Sequence, residues 1–215
     1  MSNVKACIFD LDGVIVDTAK YHYLAWKRLA NELGFDFTEK DNERLKGVSR
    51  MESLEILLEI GQVEVDEKTK VELAEKKNGW YREYITKMDE SEILPGAKEF
   101  IETLKENNFK VAIGSSSKNT MTILESINMV DYFDAIIDGN KITKAKPEPE
   151  VFLLGAEALG INPKECVVFE DAKAGIEAAK RAGMFAIGVG SPEILKDADK
   201  IIPSMKNLTL DILDF

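Results

Sequence analysis

At 215 residues, 45% of them hydrophobic, the chain is long enough for one large domain or a core with an inserted module, and wholesale disorder is excluded. A formal net charge of −11 argues against non-specific binding to nucleic acid or to an anionic membrane, so an anionic ligand needs a local cluster of Lys and Arg. No stretch approaches the roughly 20 apolar residues of a membrane span, and Asp10 and Asp12 interrupt the only apolar run near the start, which therefore does not read as a signal peptide.

The first predicted element is a strand in the run Val4 to Phe9, apolar but for Lys5, as in a parallel sheet buried on both faces. It runs into Asp10-Leu11-Asp12-Gly13. Alternation sends Asp10 and Asp12 to one side where the strand ends, and ligands of open α/β sheets bind at the carboxyl ends of strands. Two carboxylates so close repel unless one is protonated or neutralised. Mg²⁺ suits the task, since it prefers oxygen ligands and sits on one or two carboxylates plus substrate phosphate. Taken alone, the same four residues fit a capped turn equally well.

From Thr18 to about Met88 the periodicity is helical. Tyr23, Trp26, Leu29, Ala30 and Leu33 recur at three- and four-residue spacing and stop at Gly34. Leu54 to Ile60 forms a second helix closed by Gly61, and a third runs from about Glu67 to Met88. After Pro95-Gly96 the pattern alternates: helix 97–107, strand 110–114, helix 119–127, strand 135–137, helix 149–159, strand 166–169, helix 173–182, strand 184–189 and a short strand at 201–202. Alternation of this kind predicts an α/β fold with a doubly wound, Rossmann-like parallel sheet. The expected division is a core of residues 1–16 and 93–215 and an inserted α-helical cap of residues 17–92. Cys7 and Cys166 lie in or beside apolar runs and read as buried free thiols, and a cytoplasmic location is expected.

Each later strand also ends on polar residues. Gly114-Ser115-Ser116-Ser117-Lys118-Asn119 offers hydroxyls and backbone N–H groups for phosphate, or else is an ordinary serine-rich loop with Asn119 as N-cap. Lys146 stands in Lys144-Ala145-Lys146-Pro147-Glu148-Pro149, where the prolines restrict the direction of its amine. The fourth strand ends in a second acidic pair, Glu170-Asp171. Alone, Asp171 reads as a helix cap; with Asp10 and Asp12 it makes an oxygen-rich cage.

An acidic pair, a serine loop, a lysine and a second acidic pair, on four successive strand ends, together resemble the haloacid dehalogenase (HAD) superfamily of phosphotransferases over the whole chain. The resemblance implies that Asp10 is a nucleophile forming an aspartyl phosphate. It implies Mg²⁺ held by the Asp10 carboxylate, the Asp12 backbone carbonyl, Glu170 and Asp171. Ser115 and Lys146 would steady the nontransferring oxygens, with backbone N–H groups near Leu11 and Ser116, and Asp12 would be the general acid and base. A dehalogenase has no need of that second Asp.

Within the superfamily, Asp17-Thr18-Ala19, Tyr21-His22 and Ala25-Trp26, followed by Leu45-Lys46-Gly47-Val48-Ser49-Arg50, resemble the β-phosphoglucomutase family. This implies that Lys46, Gly47, Val48, Ser49 and Arg50 grip the distal phosphate of a sugar. It implies that His22, on one helix face with Thr18 next to the hinge, couples cap closure to placement of the acid/base Asp, and that both line the substrate site. Lys77, Ser116, Ser117, Lys118 and Asn119 would line the substrate site. Ala172 stands where Ser is common in the family and Glu150 where Asp is. The implied reaction interconverts β-D-glucose 1-phosphate and glucose 6-phosphate through glucose 1,6-bisphosphate. A sugar-phosphate phosphatase is the enzymatic alternative, and a non-catalytic sugar-phosphate-binding module a remote one. The partner is a small sugar phosphate, and a monomer is expected.

Overall fold

The structure is a computed structural model and describes residues 3–45 and 49–215. Six strands, β1 (Ala6–Phe9), β2 (Lys110–Gly114), β3 (Ala135–Ile137), β4 (Cys166–Glu170), β5 (Phe185–Val189) and β6 (Lys200–Ile202), form one parallel sheet in the order β3-β2-β1-β4-β5-β6. The order reverses at β1, which is bonded to β2 on one side and β4 on the other, with Ile8 level with both Ala112 and Val168. Such a switch point opens a crevice beyond the carboxyl ends of the central strands. The DxDG stretch leaves β1 at that point.

Both sheet faces are covered, as the unbroken apolar strands require. Ala6, Ile8, Ala112, Cys166 and Val168 share one core with Val151, Phe152 and Ala156 of α7 (Glu150–Leu159) and with Ile176 and Ala179 of α8 (Lys173–Arg181). On the opposite face Phe9 stacks on Phe169 with centroids 4.7 Å apart, and Phe100 of α5 (Ala97–Glu106) meets Phe169 edge-on at 5.6 Å. Each such fully buried side chain contributes about 1.5–3 kcal/mol relative to exposure. Cys7 and Cys166 are buried and free, and burial pushes the Cys166 thiol up to about 11, so neither is a ready thiolate.

The chain separates into two compact units, residues 1–17 with 88–215, and Thr18–Lys87. The second is helical: α1 (Ala19–Glu32), the short α2 (Glu39–Asn42), α3 (Arg50–Gly61) and α4 (Glu67–Ile85). Trp26, Leu29 and Ala30 of α1 are buried, as are Ala74, Trp80, Tyr81 and Ile85 of α4, and the two helices pack on each other.

Several boundaries differ from those the sequence suggests. α3 begins four residues early because the Ser49 hydroxyl accepts the Glu52 N–H and caps it, and its left-handed closing residue is Gln62, not Gly61. α4 stops at Ile85 rather than Met88. The capping box of Thr38 and Asp41 starts α2, which hydrophobic periodicity alone does not reveal. Asn119 precedes α6 (Thr120–Ser126) but makes no side-chain cap, and Ala172, not Asp171, occupies the cap position of α8.

Candidate active site

The sheet unit gathers the four strand-end motifs. The Asp10 N–H donates to the Phe169 carbonyl at 2.9 Å, extending the β1–β4 ladder by one residue and setting Asp10 beside Glu170. Asp10, Glu170 and Asp171 present carboxylate oxygens that all lie within 4.8 Å of one another. Lys146 reaches into this group. Its Nζ lies 2.5 Å from Asp10 Oδ1 and 2.8 Å from Glu170 Oε2, with its side chain 11% exposed. Burial works against the lysine's charge, but the two carboxylates more than offset it, and its pKa is raised. The Lys146–Pro147 bond is cis.

One ammonium does not balance three carboxylates. Burial raises Glu170 despite Lys146, with Asp10 adding to the effect. Asp171 is pushed up to about 8, by burial first and then by the charges of Glu170, Asp10 and Asp12. An all-oxygen donor set with excess negative charge fits a hard divalent cation. Two glycines permit the crowding. Gly13, at φ +78°, leaves room for the Asp171 carboxylate, and Gly175, in the first turn of α8, leaves room for that of Glu170; a Cβ at either position would overlap it.

The serine loop follows β2. Ser115 is buried; its N–H donates to the Ile137 carbonyl at 3.0 Å and its Oγ accepts the Ser117 N–H at 3.1 Å. Ser116 and Lys118 are exposed, while Ser117 and Asn119 are half-buried. The Ser117 Oγ accepts the Asn119 N–H at 3.2 Å, so the loop is folded on itself before α6 begins. Asp12 sits in the turn after β1, where it bridges to Val16.

The helical unit holds a separate group. Lys77 is buried within α4, 2% exposed, not at a solvated helix end. Its Nζ lies 2.9 Å from His22 Nδ1 and over the Trp26 ring at 4.4 Å. Burial and then the charge of Arg50 lower Lys77 to about 7. Burial, Lys77 and Arg50 together hold His22 well below the ordinary imidazole range, so it is neutral near pH 7. His22 stacks on Tyr81 at 4.0 Å, and the Tyr81 hydroxyl donates to Thr18 Oγ1 at 3.1 Å. Arg50 pairs with Glu75 at 2.7 Å, a partner that sequence reasoning missed. Exposed pairs of this kind contribute at most about 1 kcal/mol and exchange readily. Ser49 caps α3. Lys46, Gly47 and Val48, expected at the distal phosphate, lie outside the described residues.

The sequence pattern of the haloacid dehalogenase-like hydrolases matches residues 7–189. The chain belongs to the haloacid dehalogenase-like family. It is 44% identical to a β-phosphoglucomutase of Bacillus subtilis strain 168, over 98% of this chain and 94% of that protein. A phosphorylated carbohydrates phosphatase of Thermotoga maritima is 34% identical over 84% of this chain and 82% of its own length. Among solved structures, a β-phosphoglucomutase from Clostridium difficile superposes with a TM-score of 0.87 at 44% identity, covering 98% of this chain and 95% of that one. The haloacid dehalogenase-like assignment accounts for the sheet order and for the position of the acidic cluster at its switch point.

Proposed function

We propose that the chain is a β-phosphoglucomutase, interconverting β-D-glucose 1-phosphate and glucose 6-phosphate. The observation that carries this reading is the span of the 44% identity, which covers 98% of the chain and so includes the helical unit as well as the sheet unit. Phosphoryl transfer depends on in-line positioning and on neutralising oxygens. Asp10 is the nucleophile: a carboxylate oxygen forms a bond to phosphorus as the bond from phosphorus to the sugar oxygen breaks. Asp12 gives that departing oxygen its proton and takes one from the hydroxyl that later attacks the aspartyl phosphate. Lys146, already against Asp10, offsets the repulsion between an anionic nucleophile and an anionic phosphate. Ser115 Oγ, with the backbone N–H groups near Leu11 and Ser116, receives the nontransferring oxygens.

Asp10, Glu170, Asp171 and the Asp12 carbonyl are the groups that would hold Mg²⁺, which supplies charge neutralisation at the phosphoryl oxygens. Arg50 and Lys77 give the helical unit the cations that a second phosphate requires, Arg50 through its planar fork. Phosphorylated Asp10 first passes its phosphoryl group to the 6-hydroxyl of β-glucose 1-phosphate; the glucose 1,6-bisphosphate so formed exchanges ends, and its C1 phosphoryl group then returns to Asp10, freeing glucose 6-phosphate. Among the described residues no helix is long and apolar enough to cross a membrane, and the free buried thiols suit a reducing cytoplasm.

The 34% identity to a carbohydrate-phosphate phosphatase supports hydrolysis as the second reading. A coupled assay decides between them. With Mg²⁺ and a bisphosphate primer, β-glucose 1-phosphate should give glucose 6-phosphate faster than free phosphate, and faster than α-glucose 1-phosphate does. Free phosphate as the main product would establish the phosphatase instead.

A further inference from the structure

The turn that follows β3, residues 138–140, belongs to none of the motifs above, yet it grips the serine loop at several points. The Gly139 N–H donates to the Ser117 carbonyl at 3.0 Å. The Asn140 side-chain amide donates to the Lys118 carbonyl at 3.1 Å and, with its other hydrogen, to Asp138 Oδ2 at 2.9 Å. Asp138 is itself buried, and its Oδ1 accepts the Asn140 N–H at 3.0 Å. Both hydrogens of the Asn140 amide are therefore committed, and its orientation is fixed by the carboxylate behind it. Gly139 lies so close to the Ser116 carbonyl that any side chain there would collide with it.

We propose that Asp138 and Asn140 are positioning residues for the proposed substrate loop. Asn140, aimed by Asp138, holds the crest through the Lys118 carbonyl, beside the Gly139 N–H that holds the Ser117 carbonyl, and neither side chain is assigned a contact to substrate. A buried carboxylate whose described partners are the neighbouring Asn140 backbone and amide is a costly way to shape a turn. It is accounted for when the amide it aims must hold another loop. Ser115 is tied through its own N–H to Ile137 as well as through its Oγ to the Ser117 N–H, so the Lys118 end of the crest can loosen while Ser115 stays in place. The inference rests on the sugar-phosphate reading of the site.

The test compares two readouts in the full-length protein. One is kcat and KM for β-glucose 1-phosphate. The other is phosphorylation of Asp10 by acetyl phosphate, followed by mass spectrometry, which requires no sugar contact. Asn140→Ala should raise KM roughly three- to tenfold, the equilibrium value of one such hydrogen bond. Asn140→Asp, equal in size but without the donor, should be no better. Labelling by acetyl phosphate should stay within about a factor of two in both variants, as independent sites allow. An unchanged KM overturns the proposal, and so does a loss of labelling that parallels the rise in KM, which would mean general loosening. Should the wild type release phosphate rather than isomerise, the mutase reading fails, while the same KM comparison run on phosphate release still decides the role of Asn140.

Discussion

Asp12 follows Asp10 by two residues, in the turn rather than in the strand, and this separates the two carboxylates in environment. Asp10 is buried against Lys146, whereas Asp12 is only half-buried. A group proposed to pick up and release a proton on each half-reaction benefits from the greater solvent contact of that position. Asp12→Asn should therefore keep the fold and bind Mg²⁺, yet lose about 10²–10⁴-fold in turnover, the usual value of one general acid–base group. Near-normal turnover by steady-state assay would remove Asp12 from that role.

Lys77 gives a second prediction at this scale. Its amine, near 7 in the folded chain against about 10.5 unfolded, is paired with a neutral His22 and faces Trp26, Tyr81 and the charge of Arg50. Between those two values the unfolded chain binds more protons than the folded one, so stability rises with pH across that window. Below pH 7 the buried charge costs its full amount, on the order of 5 kcal/mol, and above about pH 10.5 nothing. Relative to Lys77→Met, the wild type should gain stability steadily between pH 7 and pH 10. Urea denaturation of both proteins at the two pH values would measure this, and an equal gap at both would refute it.

At the scale of elements, the acidic cluster depends on where one helix and one turn leave out a side chain. Gly175 lies in the first turn of α8, where an alanine would have better helix propensity by about 1 kcal/mol. Here the missing Cβ lets the Glu170 carboxylate lie over the helix start. Gly175→Ala should destabilise the protein by roughly 1–3 kcal/mol, as overpacking does, and should weaken divalent-cation binding by displacing Glu170. Thermal melts with and without Mg²⁺ read both effects; a melt no lower than the wild type's would show that the helix absorbs the methyl group. The strands, the long helices and the strand-end motifs were legible because apolar runs and charged endings are local patterns. The Asp138–Asn140 turn, the Glu75 partner of Arg50 and the burial of Lys77 were not, since each depends on residues far apart in sequence or on which face of a helix is covered. Gly175 carried a local signal, a glycine within a helical pattern two residues after its start, which marks a close approach.

For the molecule as a whole, buried or partly buried cations persist in an acidic chain because each is individually held: in the sheet unit Lys146 by two carboxylates, and in the helical unit Arg50 by Glu75 and Lys77 by aromatic rings and an imidazole. Periodicity revealed that the region between the first and second strands is helical, and the structure divides the chain at Thr18 and Met88. Which helical side chains meet each other inside that unit was beyond a one-dimensional pattern. The pairing of α1 with α4 across some fifty residues decides it.

The central place of β1 also has a bearing on how the protein is made. β1 is made before both of its neighbours in the sheet, which begin at Lys110 and Cys166. Until the latter has been translated, an apolar edge stands open, and the helical segment made in between can collapse on local contacts alone. Closure of the sheet's centre, and with it the gathering of the acidic cluster, is thus late relative to the synthesis of its middle strand.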